Sequence, residues 1–205
     1  MDNQPLGNEY LQQIQASVTP KKSLLDNKLV LMIGGLLLVL VLVLVISLIL
    51  SSGSTSTSQR SKTLYLQLTN LQTSSTKYQD DLKDSNLRAI NSSFSTQLTN
   101  SIRDLTAALK EQKIDVAKLD KKAKFYVDQT KHSDDLNAQL TNAKLNVILD
   151  RTYSTSMSYE LELILNNIAQ ITAHSRSTSF RQTLDNIASN LRLIQQSFDD
   201  FAKTS

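Results

Sequence analysis

The chain has no cysteine and no tryptophan, and only two prolines and four glycines in 205 residues. Without cysteine there is no disulfide, no thiolate nucleophile and no Cys-ligated zinc or iron–sulfur centre, so stability has to come from packing. Pro5, Pro20, Gly7, Gly34, Gly35 and Gly53 all precede residue 54, and Ser54 to Ser205 contains neither residue type. Tight β-hairpins draw on Gly or Asn-Gly turns, whereas helices joined by Ser, Asn and Asp do not need them, so this absence predicts an all-α fold. Also missing are a Gly-rich phosphate loop, a Gly-x-Ser-x-Gly elbow and an EF-hand loop. The sequence therefore predicts neither catalytic residues nor a cofactor or metal, and a protein that is not an enzyme.

Charge is balanced. Residues 1–28 hold three basic and three acidic side chains, and residues 51–205 hold nineteen and sixteen. A nucleic-acid binder concentrates Lys and Arg on one face with aromatics between them for stacking; that pattern is absent, which argues against nucleic acid as a partner.

One long apolar run stands out. Leu29 to Leu50, LVLMIGGLLLVLVLVLVISLIL, has twenty-two uncharged positions. As a helix it would span roughly 33 Å, enough to cross a hydrocarbon core about 30 Å thick. A soluble domain of this size could not surround a helix apolar on every side, so the run predicts a single transmembrane helix with the lipid bilayer as its partner. Lys21, Lys22 and Lys28 precede it, and no charge follows until Arg60. Basic flanks are retained on the cytoplasmic side, which places the N-terminus inside and the C-terminal domain outside a cell membrane. A cleaved signal peptide, with Ser51-Ser52-Gly53 as the cutting region, is the competing reading. Gly34-Gly35 lacks the spaced small-residue pattern of close helix contact.

The predicted organisation is a short cytoplasmic tail over 1–28, a transmembrane helix over 29–50, a Ser/Thr-rich linker over 51–61 and an extracytoplasmic helical bundle over 62–205. The tail carries a short apolar cluster, Tyr10, Leu11, Ile14 and Val18. In the bundle, Leu64, Leu68, Leu71, Ser75, Tyr78 and Leu82 alternate steps of four and three, as do Phe180, Leu184, Ile187, Leu191, Ile194, Phe198 and Phe201. Leu87, Ile90, Phe94, Leu98, Ile102, Leu105 and Leu109 form a third stripe, and Met157, Leu161, Ile164, Ile168 and Ile171 a fourth. A weaker fifth stripe runs from Val116 through Tyr126 and Leu136 to Val147. Breaks fall at Asp84-Ser85-Asn86 and Lys113-Ile114-Asp115. Ser133 can either start a helix or sit inside one, and Ser179 with Gln182 makes a capping box. Short connections then predict an antiparallel bundle of four or five helices, with a long coiled-coil rod as the alternative.

Few residues invite a site. His132 and His174 belong to no metal-binding pair and read as solvated residues near helix ends. Asp150 and Glu160, ten residues apart, would stand about 15 Å from each other on one helix, too far to share an ion. Lys118, Lys121, Lys122 and Lys124, read on a helix, form a solvated basic face with anionic contact as the functional alternative. Asn91-Ser92-Ser93 is a formal glycosylation acceptor. Tyr153, Met157 and Tyr159 sit amid the small, polar Thr152, Ser154, Thr155, Ser156 and Ser158, which marks them as candidates for a cavity or partner surface.

Residues 145–201, with LNVILDRTYSTSMSYELELILNNIAQ and SFRQTLDNIASNLRLIQQSF, resemble the two-helix half of ferritin-like extracytoplasmic bundles of unknown function. Asp150, Tyr153 and Met157 match an Asp-x-x-Tyr and a following Met that open a long helix there. The resemblance implies a bundle fold; the family's histidines have no counterpart, since Ser158 and Tyr159 follow the Met. The expectation is thus a membrane-anchored interaction or scaffold protein that binds a protein partner or itself. The alternatives are a ligand-binding or sensor domain working with a partner subunit, and a degenerate ferritin-like metal binder.

Overall fold

A computed structural model describes residues 56–204. The tail, the apolar run and its orientation, and the cutting region at 51–53 lie outside the described residues. Among the described residues there are five helices and no strand: α1 (Thr57–Tyr78), α2 (Ser85–Glu111), α3 (Lys124–Leu145), α4 (Leu149–His174) and α5 (Thr178–Thr204). None of these is long and apolar enough to cross a membrane.

Packing follows from the stripes. α1, α2, α5 and α4 form a closed four-helix ring, with α1 against α2, α2 against α5, α5 against α4 and α4 back against α1. Tyr153 of α4 reaches Asn91 near the start of α2, while Gln112 past the end of α2 reaches Ser177 before α5. Neighbours in the ring are therefore antiparallel. α3 lies outside it, in the furrow between α1 and α4. Its polar ties climb α1 in the same direction, Asn70 to Gln129 and then Tyr78 to Asn137, so α3 runs parallel to α1. The folded-back bundle replaces the coiled-coil rod.

α1, α4 and α5 bury their stripes, including Leu64, Leu68 and Leu71 on α1, Leu161 and Ile168 on α4, and Leu184 and Leu191 on α5, and α2 buries its leucines, Leu98 and Leu105 among them, with Ile90 and Ile102 partly covered. Towards the end where α1 finishes, aromatic rings take over. Phe94 meets Phe198 edge-on at 5.3 Å between centroids, and Tyr153 lies 6.1 Å from Phe198 and 6.4 Å from Tyr78. Tilted and edge-to-face pairs of this kind add to simple burial.

Two polar stripe positions meet in this layer. Asn91, rather than Ile90, is the fully buried α2 residue. Its Oδ1 accepts from the hydroxyls of Ser75 (2.7 Å) and Tyr153 (2.5 Å). Its Nδ2 donates to the Ser75 carbonyl (2.9 Å) and to Gln79 Oε1 (2.5 Å). An amide with both faces satisfied is tolerated in a core and fixes the register of the helices around it. Burial corrects the glycosylation reading, because the folded protein holds the Asn91 amide out of reach.

Helix ends show how the described residues, which include no glycine, close their helices. Asp84 caps α2, its carboxylate accepting from Asn86 N (2.8 Å) and Leu87 N (3.0 Å). α2 and α3 both stop in a left-handed residue, Lys113 with φ 58° and Val147 with φ 61°. After α2, Ile114 N bonds Leu109 O and Lys113 N bonds Lys110 O; after α3, Ile148 N bonds Ala143 O and Val147 N bonds Lys144 O. Such paired closures satisfy the last carbonyls but normally use Gly, and a β-branched valine there stores strain of about 1–2 kcal/mol.

Two expectations are corrected, and one open alternative, at Ser133, is decided. Residues 57–61, read as linker from their Ser and Thr content, are the first turn of α1. Ser56 caps that turn, and buried Ser61 bonds back to the Thr57 carbonyl at 2.8 Å. α3 passes through Ser133 without a break. α5 begins at Thr178, before Ser179, and the capping hydroxyl is that of Ser177, which accepts from Phe180 N at 3.3 Å.

Candidate functional site: the groove between α3 and α4

α3 is only loosely seated. It buries Leu136, Leu140 and Ala143, leaving Val127 half exposed and Leu145 76% exposed at its end. Between α3 and α4 lies a groove of about 810 Å³, with Leu136, Ile148 and Tyr159 among its apolar lining and His132, Asp135, Arg151 and Glu160 among its charged groups. Open clefts of this size, mostly apolar with a few converging polar groups, are where ligands and partner side chains are held.

Glu160 is the group burial makes exceptional. Its side chain is 9% exposed, and both carboxylate oxygens lie 2.9 Å from His132 Nε2. A buried carboxylate requires such a partner. The hydrogen bond His132 donates to Glu160 raises the His132 pKa above its ordinary 6.5; desolvation opposes this, and the charges of Glu160 and Asp135 reinforce it. The pair ties the middle of α3 to α4, and protonation of His132 strengthens that tie. This corrects the reading of His132 as a solvated end residue, since it lies inside α3. His174 is the last residue of α4, its Nδ1 lying 2.8 Å from the Gln170 carbonyl.

The small stretch Thr152–Ser158 has a structural reason. α4 touches α5, α1 and α3, so Ser154, Ser156 and Ser158 face neighbouring helices and are buried. Small side chains allow that crowding, and Ser158 bonds Asp199 of α5. Of the three residues singled out there, Tyr153 and Met157 are fully buried in the core, whereas Tyr159 is 55% exposed and lines the groove. Burial also pushes the Tyr153 hydroxyl well above the usual tyrosine range. It is a core hydrogen-bond donor.

Asp150 serves the fold. Its carboxylate accepts from Lys83 N (3.0 and 3.2 Å) and Asp84 N (2.8 Å), fastening the α1–α2 turn to the first turn of α4. Among the described residues no group of three or more His, Asp or Glu could hold a metal ion. Asp150, Tyr153 and Met157, the residues behind the ferritin-like resemblance, fasten a turn and fill the core.

The four lysines are placed differently from the helical reading. Lys118, Lys121 and Lys122 lie in the connection 112–123, and Lys124 is the first residue of α3. Asp115 accepts from Ala117 N and Asp120 from Lys122 N, both at 2.9 Å. Such local side-chain turns compete with helix formation and explain why the chain is not helical here.

The residues of the groove come together only through the fold. Tyr159, Ile148 and the His132–Glu160 pair are spread over twenty-nine positions and share no local spacing. The one local signal was for exclusion, because Met157 begins the apolar stripe of α4 and Tyr153 lies one turn before it. No protein-family model, no curated protein and no solved structure matches this chain, so its function has to be read from this geometry.

Proposed function

We propose that the chain is a membrane-anchored, non-catalytic interaction module that holds a protein partner in the α3–α4 groove. Residues 29–50 supply the anchor, with the tail inside and the bundle outside the cell membrane. The observation that carries the binding site is the groove itself: Tyr159 and Ile148, both more than half exposed, flank the buried Glu160 and its partner His132. Exposed large apolar groups around a cleft are the usual mark of an interface, and tyrosine is well suited to such positions. Leu145 and Val147, 76% and 71% exposed, continue the apolar surface past the end of α3.

The test is photocrosslinking in cells, with the crosslinking residue placed at Tyr159 and, as control, at exposed Asn190 between α2 and α5. A defined partner captured from position 159 and not from 190 supports the reading; equal capture from both, or none from 159, contradicts it. A second reading, a ligand-binding or sensor domain whose output lies in a partner subunit, is favoured by the groove's volume and its charged groups. It requires a small molecule that raises the melting temperature of the protein and loses that effect in Tyr159→Ala.

A further inference from the structure

Charge is distributed unevenly between the two ends of the bundle. At the end where α1 begins, the segment 112–124 carries Lys113, Lys118, Lys121, Lys122 and Lys124 against Asp115 and Asp120. Arg176 in the α4–α5 turn and Arg181 in the first turn of α5 lie at the same end, and residues 175–184 contain no acidic side chain. At the opposite end the charges are mixed and paired, with Asp80, Asp81 and Asp84 beside Lys83 in the α1–α2 turn and Lys144 bound to Asp81. Among the described residues, Lys113, Lys118, Lys121 and Lys122 are exposed and make no ion pair, while Lys124 pairs with Asp128.

The basic segment is fixed to the bundle. Ile114 and Val116 pack against the core, and the two Asx turns at Asp115 and Asp120 hold the backbone between the lysines. Its ammonium groups are therefore presented together on one end of the molecule. That end is also where the chain enters, since α1 starts at Thr57 and five residues separate Ser56 from Leu50. Such a tether reaches roughly 20 Å at full extension.

We infer that this basic end is a docking surface for anionic phospholipid headgroups, so that the bundle stands on the bilayer with the 112–124 segment down and the α3–α4 turn pointing away. The inference rests on residues 29–50 spanning the membrane, which confines the end within reach of the headgroups. Dispersed lysines add to one another near an anionic surface, and the attraction fades within a Debye length. The bundle is then held upright, with Leu145, Val147 and the upper part of the groove turned from the lipid.

The full chain in lipid nanodiscs provides the test. Because the protein has no cysteine, a single Cys at Lys118 or at Asp80 takes a fluorophore at one defined place. Quenching by headgroup-labelled lipid is compared in phosphatidylcholine discs and in discs with about 30% phosphatidylglycerol. The expected result is quenching at 118 that rises several-fold with the anionic lipid, no change at 80, and reversal in about 0.5 M salt, where the Debye length is roughly 4 Å. The triple variant Lys113→Glu, Lys121→Glu, Lys122→Glu is expected to abolish the rise while its helical circular dichroism stays unchanged. Retention in the discs with no dependence on phosphatidylglycerol would overturn the inference alone. Failure of the chain to remain with the discs would overturn the anchor, and the inference with it. If inorganic phosphate suppresses the rise at a concentration matching the lipid phosphate, at constant ionic strength, the surface is a soluble-anion site and the lipid assignment falls.

Discussion

The four ring helices and α3 are held to the molecule by different physics. α1, α2, α4 and α5 each bury a continuous stripe, and the aromatic layer of Phe94, Phe198, Tyr153 and Tyr78 locks their upper halves together. α3 buries three side chains and relies instead on polar ties. Tyr78 OH donates to the Asn137 carbonyl at 2.9 Å, Lys144 pairs with Asp81 at 2.7 Å, and His132 faces Glu160. Apolar burial is insensitive to pH, whereas the ties of α3 include a titrating histidine and a partly exposed ion pair. The element that borders the groove is thus also the one whose contacts include a titrating group, and elements held by few buried apolar contacts open at lower free energy than the core of a fold.

The comparison can be broken most forcefully in the ring. Phe198→Ala removes the ring that Phe94 and Tyr153 both contact and is expected to cost about 3–5 kcal/mol, seen as a single cooperative loss of all five helices in chemical denaturation. Leu140→Ala on α3 removes a side chain that is just as buried. If α3 is separately held, much of its effect appears as local loosening of residues 124–145 rather than as a lower global midpoint.

Asn91→Ala should come next, at about 2–3 kcal/mol, because it strands the buried hydroxyls of Ser75 and Tyr153. Asn91→Asp keeps both acceptor interactions but buries a charge beside Gln79, and is expected to be no better. Thermal melts of the two variants against the parent check this ordering.

The pH response sharpens the contrast. His132 has a raised pKa in the folded state, so the stability its pairing contributes is fully present below about 6.5 and is lost as pH rises through the folded value. The melting temperature should therefore fall across the region above pH 6.5, and Glu160→Gln should flatten that dependence. An unchanged slope in Glu160→Gln would show that the pair does not seat α3. The smallest expected effect is a gain: Val147→Gly relieves a left-handed β-branched residue whose side chain is mostly exposed, and should stabilise by about 1 kcal/mol or less.

Much of the ring was legible in the sequence because its cause is local. Stripes with steps of four and three mark the buried faces of α1, α4 and α5, and Asp84 caps α2 as side-chain chemistry requires. On α2 the apolar spacing runs through Ile90 and Ile102, while the fold buries Asn91 and Ser101 between the same leucines. Hydrophobicity was a misleading guide there, because Asn91 is satisfied by Ser75, the polar residue of the α1 stripe. The helix stops at Lys113 and Val147 were hard to see since no glycine announces them. The groove was illegible for a different reason: His132 and Glu160 meet only because α3 folds back along α4, a pairing over twenty-eight positions that no periodicity encodes. Tyr159 was selected from its stretch, but the same stripe that begins at Met157 already implied that Met157 and Tyr153 face inward.

The most direct measurement is native-state hydrogen exchange on the full chain at pH 6, comparing residues 126–144 of α3 with α1 and α5 in the parent and in Glu160→Gln. Exchange of α3 through an opening well below the global unfolding free energy, lowered further in Glu160→Gln while α1 and α5 are unchanged, is the predicted result. Exchange of all five helices at one common free energy, with the variant shifting them together, would contradict a separately seated α3 and with it the distinction between the ring and its outer helix.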